Sequence, residues 1–140
     1  MEFWAATEAH DPAYAAVRRC RADVEPWLNR MLAQSCLAGI PGKLRYVPIV
    51  MPKDMHARYP ARSRLRKKER IYDCAPQLDY DVFVDGSFEE QLTEYVRGIA
   101  LASPHLAGLG ATADQISEFD AILTSAVERI LVERPGQTRH

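Results

Sequence analysis

Leu44-Arg-Tyr-Val-Pro-Ile-Val-Met51 and Glu69-Arg-Ile-Tyr-Asp-Cys-Ala-Pro-Gln-Leu-Asp-Tyr-Asp-Val-Phe83 are the stretches on which the fold turns. Each reads as a β-strand, and a strongly basic connection joins them. In the second, Tyr72, Cys74, Leu78, Tyr80 and Val82 share one parity, and Asp73, Gln77, Asp79 and Asp81 share the other. Side chains alternate across a strand, so this spacing predicts one apolar face and one acidic face. Such a strand belongs in an antiparallel sheet that covers a core on one side and meets water on the other. The first strand is apolar on both parities apart from Arg45, as expected of a strand buried on both faces or partly covered by a helix or a partner. Pro48 and Pro76 cannot donate to a ladder and predict a bulge, an interruption or an edge.

Working outward, Glu2 to Thr7 is a short candidate strand. Asp11-Pro12 reads as a helix N-cap followed by proline at the first helical position. Tyr14, Val17, Cys20, Val24, Trp27, Leu28, Met31, Leu32 and Leu37 then draw one apolar stripe at helical spacing. Pro26 interrupts it and predicts a kink, or two helices meeting near Asp23 to Pro26. Gly39 and Pro41-Gly42 end the helical stretch. Downstream, Ser87-Phe-Glu-Glu90 is a capping box. It opens a helix with Phe88, Leu92, Tyr95, Val96 and Ile99 on one face, stopping near Ser103-Pro104. Thr112-Ala-Asp-Gln115 is a second capping box. It precedes a core-facing stripe of Ile116, Phe119, Ile122, Leu123, Ala126, Val127, Ile130 and Leu131, which ends before Pro135. The expected fold is an α+β domain with a small antiparallel β-sheet of about three strands packed on helices, in the order β-α-β-β-α-α. Residues 1–134 form that single domain and 135–140 a flexible tail.

Composition narrows the function. At 47% hydrophobic, 140 residues hold enough apolar material for one core, and a net charge of −1 creates no global demand for nucleic acid or membrane. No apolar run approaches the ~20 residues that span a bilayer, and Met-Glu-Phe-Trp-Ala lacks the basic start of a signal peptide. Cys20, Cys36 and Cys74 are an odd number with no Cys-x-x-Cys pair, as expected of reduced thiols in a cytoplasmic protein. His10, His56, His105 and His140 share no ligand spacing. Asp79-x-Asp81 with Asp85 and Glu90 faintly matches a calcium loop, but Phe83 and Val84 occupy its third-ligand and glycine positions. With no phosphate loop or nucleophile elbow either, neither an enzyme, a metal site nor a cofactor is expected.

The charge is unevenly distributed. Lys53, Arg58, Arg62, Arg64, Arg66, Lys67, Lys68 and Arg70 make the connection between the strands basic. Asp73, Asp79, Asp81, Asp85, Glu89, Glu90 and Glu94 follow with no Lys or Arg among them. The basic part reads as a solvated loop with one short helical turn, as a phosphate-binding patch, or as a surface for an acidic partner. Opposed patches favour oriented docking.

Tyr59-Pro-Ala-Arg-Ser-Arg-Leu-Arg-Lys-Lys-Glu-Arg-Ile-Tyr-Asp73, Gln77-Leu-Asp-Tyr-Asp-Val-Phe83 and Phe88-Glu-Glu-Gln-Leu92 resemble segments of bacterial immunity proteins of polymorphic-toxin systems, including those of contact-dependent growth inhibition. The resemblance spans about residues 44 to 102. It implies a protein without catalytic residues that binds a cognate toxin domain and blocks its active site or substrate path. Many such toxins are nucleases with cationic clefts. The charge argument, separately, places partner binding on Asp73, Gln77, Asp79, Asp81, Glu89 and Glu90. Two other readings stand beside this one. The first is a nucleic-acid-binding module using the basic segment 58–70, although it lacks interleaved exposed aromatics and a helix-turn-helix signal, so nucleic acid is not expected. The second is a structural or adaptor domain.

Overall fold

The computed structural model describes residues 1–134, and the tail expected over 135–140 lies outside them. The fold is mixed α and β, as the sequence predicts. The chain runs through β1 (Glu2–Ala5), β2 (Glu8–Ala9), α1 (Tyr14–Ala33), β3 (Lys43–Tyr46), β4 (Ile49–Val50), β5 (Arg62–Arg66) and β6 (Ile71–Ala75). It then continues through α2 (Tyr80–Asp85), α3 (Phe88–Ala100) and α4 (Ala113–Glu133). Short 3-10 turns occupy Cys36–Gly39, Lys53–Met55 and Ser103–Leu109.

The sheet corrects the expectation of an antiparallel three-stranded array. It has four strands in the order β1-β3-β6-β5, and a two-stranded pair, β2 with β4, stands beside it. β1 runs parallel to β3, and β3 parallel to β6; only the β5–β6 hairpin is antiparallel. The cause is topological. α1 lies between β1 and β3, so the chain crosses back and re-enters the sheet in the same direction. The tight turn at Lys67 to Arg70, with Arg70 left-handed at φ 55°, reverses direction only once.

Neither decisive stretch is one continuous strand. The first divides at Val47-Pro48 into β3 and β4, because Pro48 has no N–H to offer the ladder. On either side of it the Val47 and Ile49 amides donate to the Cys74 and Pro76 carbonyls at 2.9 and 2.8 Å. The second stops at Ala75, and Tyr80 to Asp85 is helical. The Asp79 carboxylate accepts from the Asp81 amide at 3.0 Å and caps α2. Aspartate favours that local bond over a ladder. The period-2 pattern of Asp79 to Val82 is thus carried on a helix, with Phe83 as its buried residue.

The basic connection, expected as a loop with one helical turn, contains both that turn, at Lys53–Met55, and the edge strand β5. Arginines along an edge hinder pairing with a second sheet. In α1 the expected cap at Asp11 is absent; the N-cap is Ala13, with no side-chain bond. The helix passes through Pro26 unbroken, which excludes the two-helix alternative. Pro26 and Ala22 lie on the exposed side, so water can meet the carbonyl that Pro26 leaves without a partner. The helix also ends at Ala33, before Gly39. Both capping boxes form as expected, at Ser87 with Glu90 and at Thr112 with Gln115.

One sheet face carries the core. Phe3, Leu44, Tyr46, Tyr72 and Cys74 meet Val17, Val24 and Leu28 of α1, Leu92, Tyr95 and Ile99 of α3, and Phe119 and Leu123 of α4. The cysteines are free; Cys20 and Cys74 are buried and Cys36 is exposed. Burial pushes the Cys20 thiol up to about 12 and the Cys74 thiol to about 11, so neither can act as a nucleophile near neutrality. Among the described residues no helix is long and apolar enough to cross a membrane, and no group of His, Cys, Asp and Glu could hold a metal ion.

Candidate functional site

Asp73, Gln77, Asp79 and Asp81, expected to share one acidic strand face, and Glu89 and Glu90, expected to border it from the following helix, occupy three places. Asp73 alone is on a strand. It lies in β6 on the outer face of the sheet, and its carboxylate is held by Arg45 at 3.2 Å and Arg66 at 2.9 Å. Gln77, Asp79 and Asp81 line a groove of about 620 Å³ with Lys53, His56 and Arg97. Gln77 serves the fold there: its amide donates to the His56 and Tyr59 carbonyls at 3.1 and 2.8 Å and fastens the preceding loop. Glu89 and Glu90 open α3, where Glu90 accepts from the Ser87 amide at 2.8 Å. Asp73 and Gln77 are therefore committed to internal partners.

What remains is an acidic corner on two successive short turns of chain. Asp79, the N-cap of α2, Asp81 and Asp85 within α2, and Glu89 and Glu90 at the start of α3 are all exposed. None of the five is ion-paired among the described residues. Helix electrostatics accounts for part of this. Asp81, Glu89 and Glu90 sit in first turns, where a negative charge is favoured. Asp85, the last residue of α2, opposes that helix's dipole but lies two residues before the α3 N-cap Ser87, where a negative charge is favoured.

Glu94, which the sequence reading left out of the site, joins the corner to the body of the protein. Its carboxylate accepts from the Asp79 amide at 2.8 Å and from Arg97 at 2.7 and 2.8 Å, tying the start of α2 to α3. Burial pushes the Glu94 carboxyl up, but the bonds from Arg97 and the Asp79 amide outweigh it and hold the group below its ordinary range. A carboxyl depressed on folding stabilises the protein above its unfolded pKa, about 4.3, and loses that contribution as pH falls through the folded value. Glu94→Gln should therefore lower stability at neutral pH and flatten the loss of stability below about pH 4. Urea unfolding across that range checks this; parallel curves for variant and parent would contradict it.

The sheet's outer face is a second distinctive surface. Cross-strand register places Trp4, Arg45, Asp73 and Arg64 in one row across β1, β3, β6 and β5. Met55 and Tyr59 roof one end of this face over Ile49, Met51 and Ala75. The row itself stays open, with Trp4 36% exposed. The sequence reading missed Trp4 and Arg45 because they join the basic segment only through register.

Comparisons with protein-family models, with curated proteins and with solved structures found no match.

Proposed function

We propose that this chain is an immunity protein that neutralises a cognate toxin domain by stoichiometric binding in the cytoplasm, with no catalytic step of its own. The observation that carries the proposal is the acidic corner: five exposed carboxylates on α2 and α3, unpaired among the described residues. A group of exposed carboxylates suits the cationic substrate cleft of a nuclease and can occupy it as the phosphates of a substrate would. The resemblance of residues 44 to 102 to immunity proteins supports the same reading. In this role Asp79, Asp81, Glu89 and Glu90 contact the toxin, joined by Asp85, while Asp73 and Gln77 act indirectly by holding the surrounding structure.

The test is to mix the purified chain with the toxin domain encoded beside its gene. A complex of one chain with one toxin domain, together with loss of the toxin's activity in proportion to the chain added, is the expected result. Absence of a toxin gene at the locus, or a toxin that stays active at excess chain, would contradict it.

A further inference from the structure

We propose that the open outer face of the sheet, centred on Trp4, Arg45 and Arg64, is a second docking surface and takes an acidic segment of a partner protein. The inference does not rest on the toxin reading, because it uses none of the acidic corner.

The face is organised before any partner arrives. The Asp73 carboxylate sits between Arg45 of β3 and Arg66 of β5 and fixes both guanidinium groups, at 3.2 and 2.9 Å. Each guanidinium carries five N–H donors, so donors remain on both for an incoming carboxylate. Arg45 also stacks over the Trp4 ring at 5.0 Å, which holds the ring against the sheet with a third or more of its surface in water. Arg64, opposite Asp73 in register, has no ion-pair partner among the described residues. A partly exposed tryptophan stacked by one arginine, with further arginines across the same sheet face, has the composition of the few residues that dominate binding energy in protein interfaces.

The arrangement also selects the kind of partner. Lys43, Arg45, Arg62, Arg64 and Arg66 give the face a positive balance, but Glu2 and Asp73 lie on it and Glu8 reaches it to pair with Arg62 at 3.1 Å. A nucleic-acid backbone carries a charge at every step and would have to pass these carboxylates. A polypeptide can place its own carboxylates against Arg45 and Arg64 and an apolar side chain on Trp4.

Tryptophan fluorescence reads the binding, since Trp4 is exposed and Trp27, at 3% exposure, is buried. The chain is titrated with poly-L-glutamate and, separately, with oligothymidylate of matched charge, at physiological salt; sedimentation of the chain alone runs alongside. The expected result is a saturable change with poly-L-glutamate that weakens at least about tenfold in Arg64→Glu, the size of effect reached by reversing a close charge pair. Trp4→Phe, which keeps an aromatic ring, should bind when followed by calorimetry. Asp81→Asn should bind as the parent does, and all three variants should keep the parent's melting temperature. Absence of saturable binding would overturn the proposal. So would tighter binding of oligothymidylate, which points to nucleic acid, or self-association abolished by Arg64→Glu, which points to a second copy of the chain.

Discussion

Gly98→Ala should destabilise the protein by about 1–5 kcal/mol, net of the ~1 kcal/mol by which alanine is the better helix former. Gly98 lies in α3 against the sheet. A methyl group there would overlap the Tyr46 hydroxyl and come within 2.8 Å of Leu78 Cδ2. Tyr46 cannot retreat freely. It is fully buried, its ring packs edge-on against Tyr95 at 5.2 Å, and its hydroxyl donates to the Tyr95 carbonyl at 2.8 Å. Moving it strands a buried hydroxyl, at about 1–3 kcal/mol, and forcing an extra carbon into a filled core costs about 1–3 kcal/mol more. Together these are a large part of a domain's stability of ~5–15 kcal/mol. The urea midpoint measures the effect. Tyr46→Phe in the Gly98→Ala background should recover part of it, because the phenylalanine lacks the atom the methyl meets. A neutral or stabilised Gly98→Ala variant would show that α3 packs on β3 loosely enough to admit the methyl group.

Asn29→Ala should cost about 2–4 kcal/mol and release the outer edge of β1. That edge pairs with no strand. Instead, Asn29 of α1 accepts from the Phe3 amide at 2.9 Å and donates to the Phe3 carbonyl at 2.8 Å, and Glu25 accepts from the Ala5 amide at 2.6 Å. One side-chain amide thus stands in for a neighbouring strand and protects the edge from other chains. Alanine leaves a donor and an acceptor beside buried Phe3 without partners, at ~1–3 kcal/mol each before water enters. Asn29→Asp keeps the acceptor but loses the donor and sets a charge against the Phe3 carbonyl, so it should destabilise as well. Hydrogen exchange at Phe3 and Ala5 is the specific readout, and unchanged protection in Asn29→Ala would contradict the capping role.

What could be read from the sequence was local. The stripes of α1, α3 and α4 are visible because helical neighbours lie three and four residues apart. The caps at Ser87 and Thr112 are visible because a capping box closes within four residues. α2 was hidden because Asp79-Tyr-Asp-Val82 alternates as a strand would, and only the cap bond from Asp79 to the Asp81 amide decides otherwise. β5 was hidden because its inward residues, Ser63 and Leu65, are too few to stand out among arginines. The site was legible as an acidic stretch but not as a surface. Removing Asp73 and Gln77 from it required knowing that register sets Arg45 beside Asp73, and that the Gln77 amide reaches the His56 and Tyr59 carbonyls. Pairings across a sheet join residues far apart in the chain, and nothing local announces them.

The claim that the acidic corner meets a toxin is tested most directly by the double variant Asp81→Asn, Asp85→Asn. The two residues sit at opposite ends of α2, so their effects on the helix dipole oppose each other and folding stability should change by no more than about 0.5 kcal/mol. Asp79 is left in place because it caps α2. In a shielded interface the lost charges should weaken binding by about 2–5 kcal/mol, upwards of thirtyfold. Calorimetric titration of the neighbouring toxin domain into parent and variant, at equal melting temperatures, is the measurement. Binding through the acidic corner requires that loss of affinity together with loss of protection in cells; parent-like affinity and protection would rule it out.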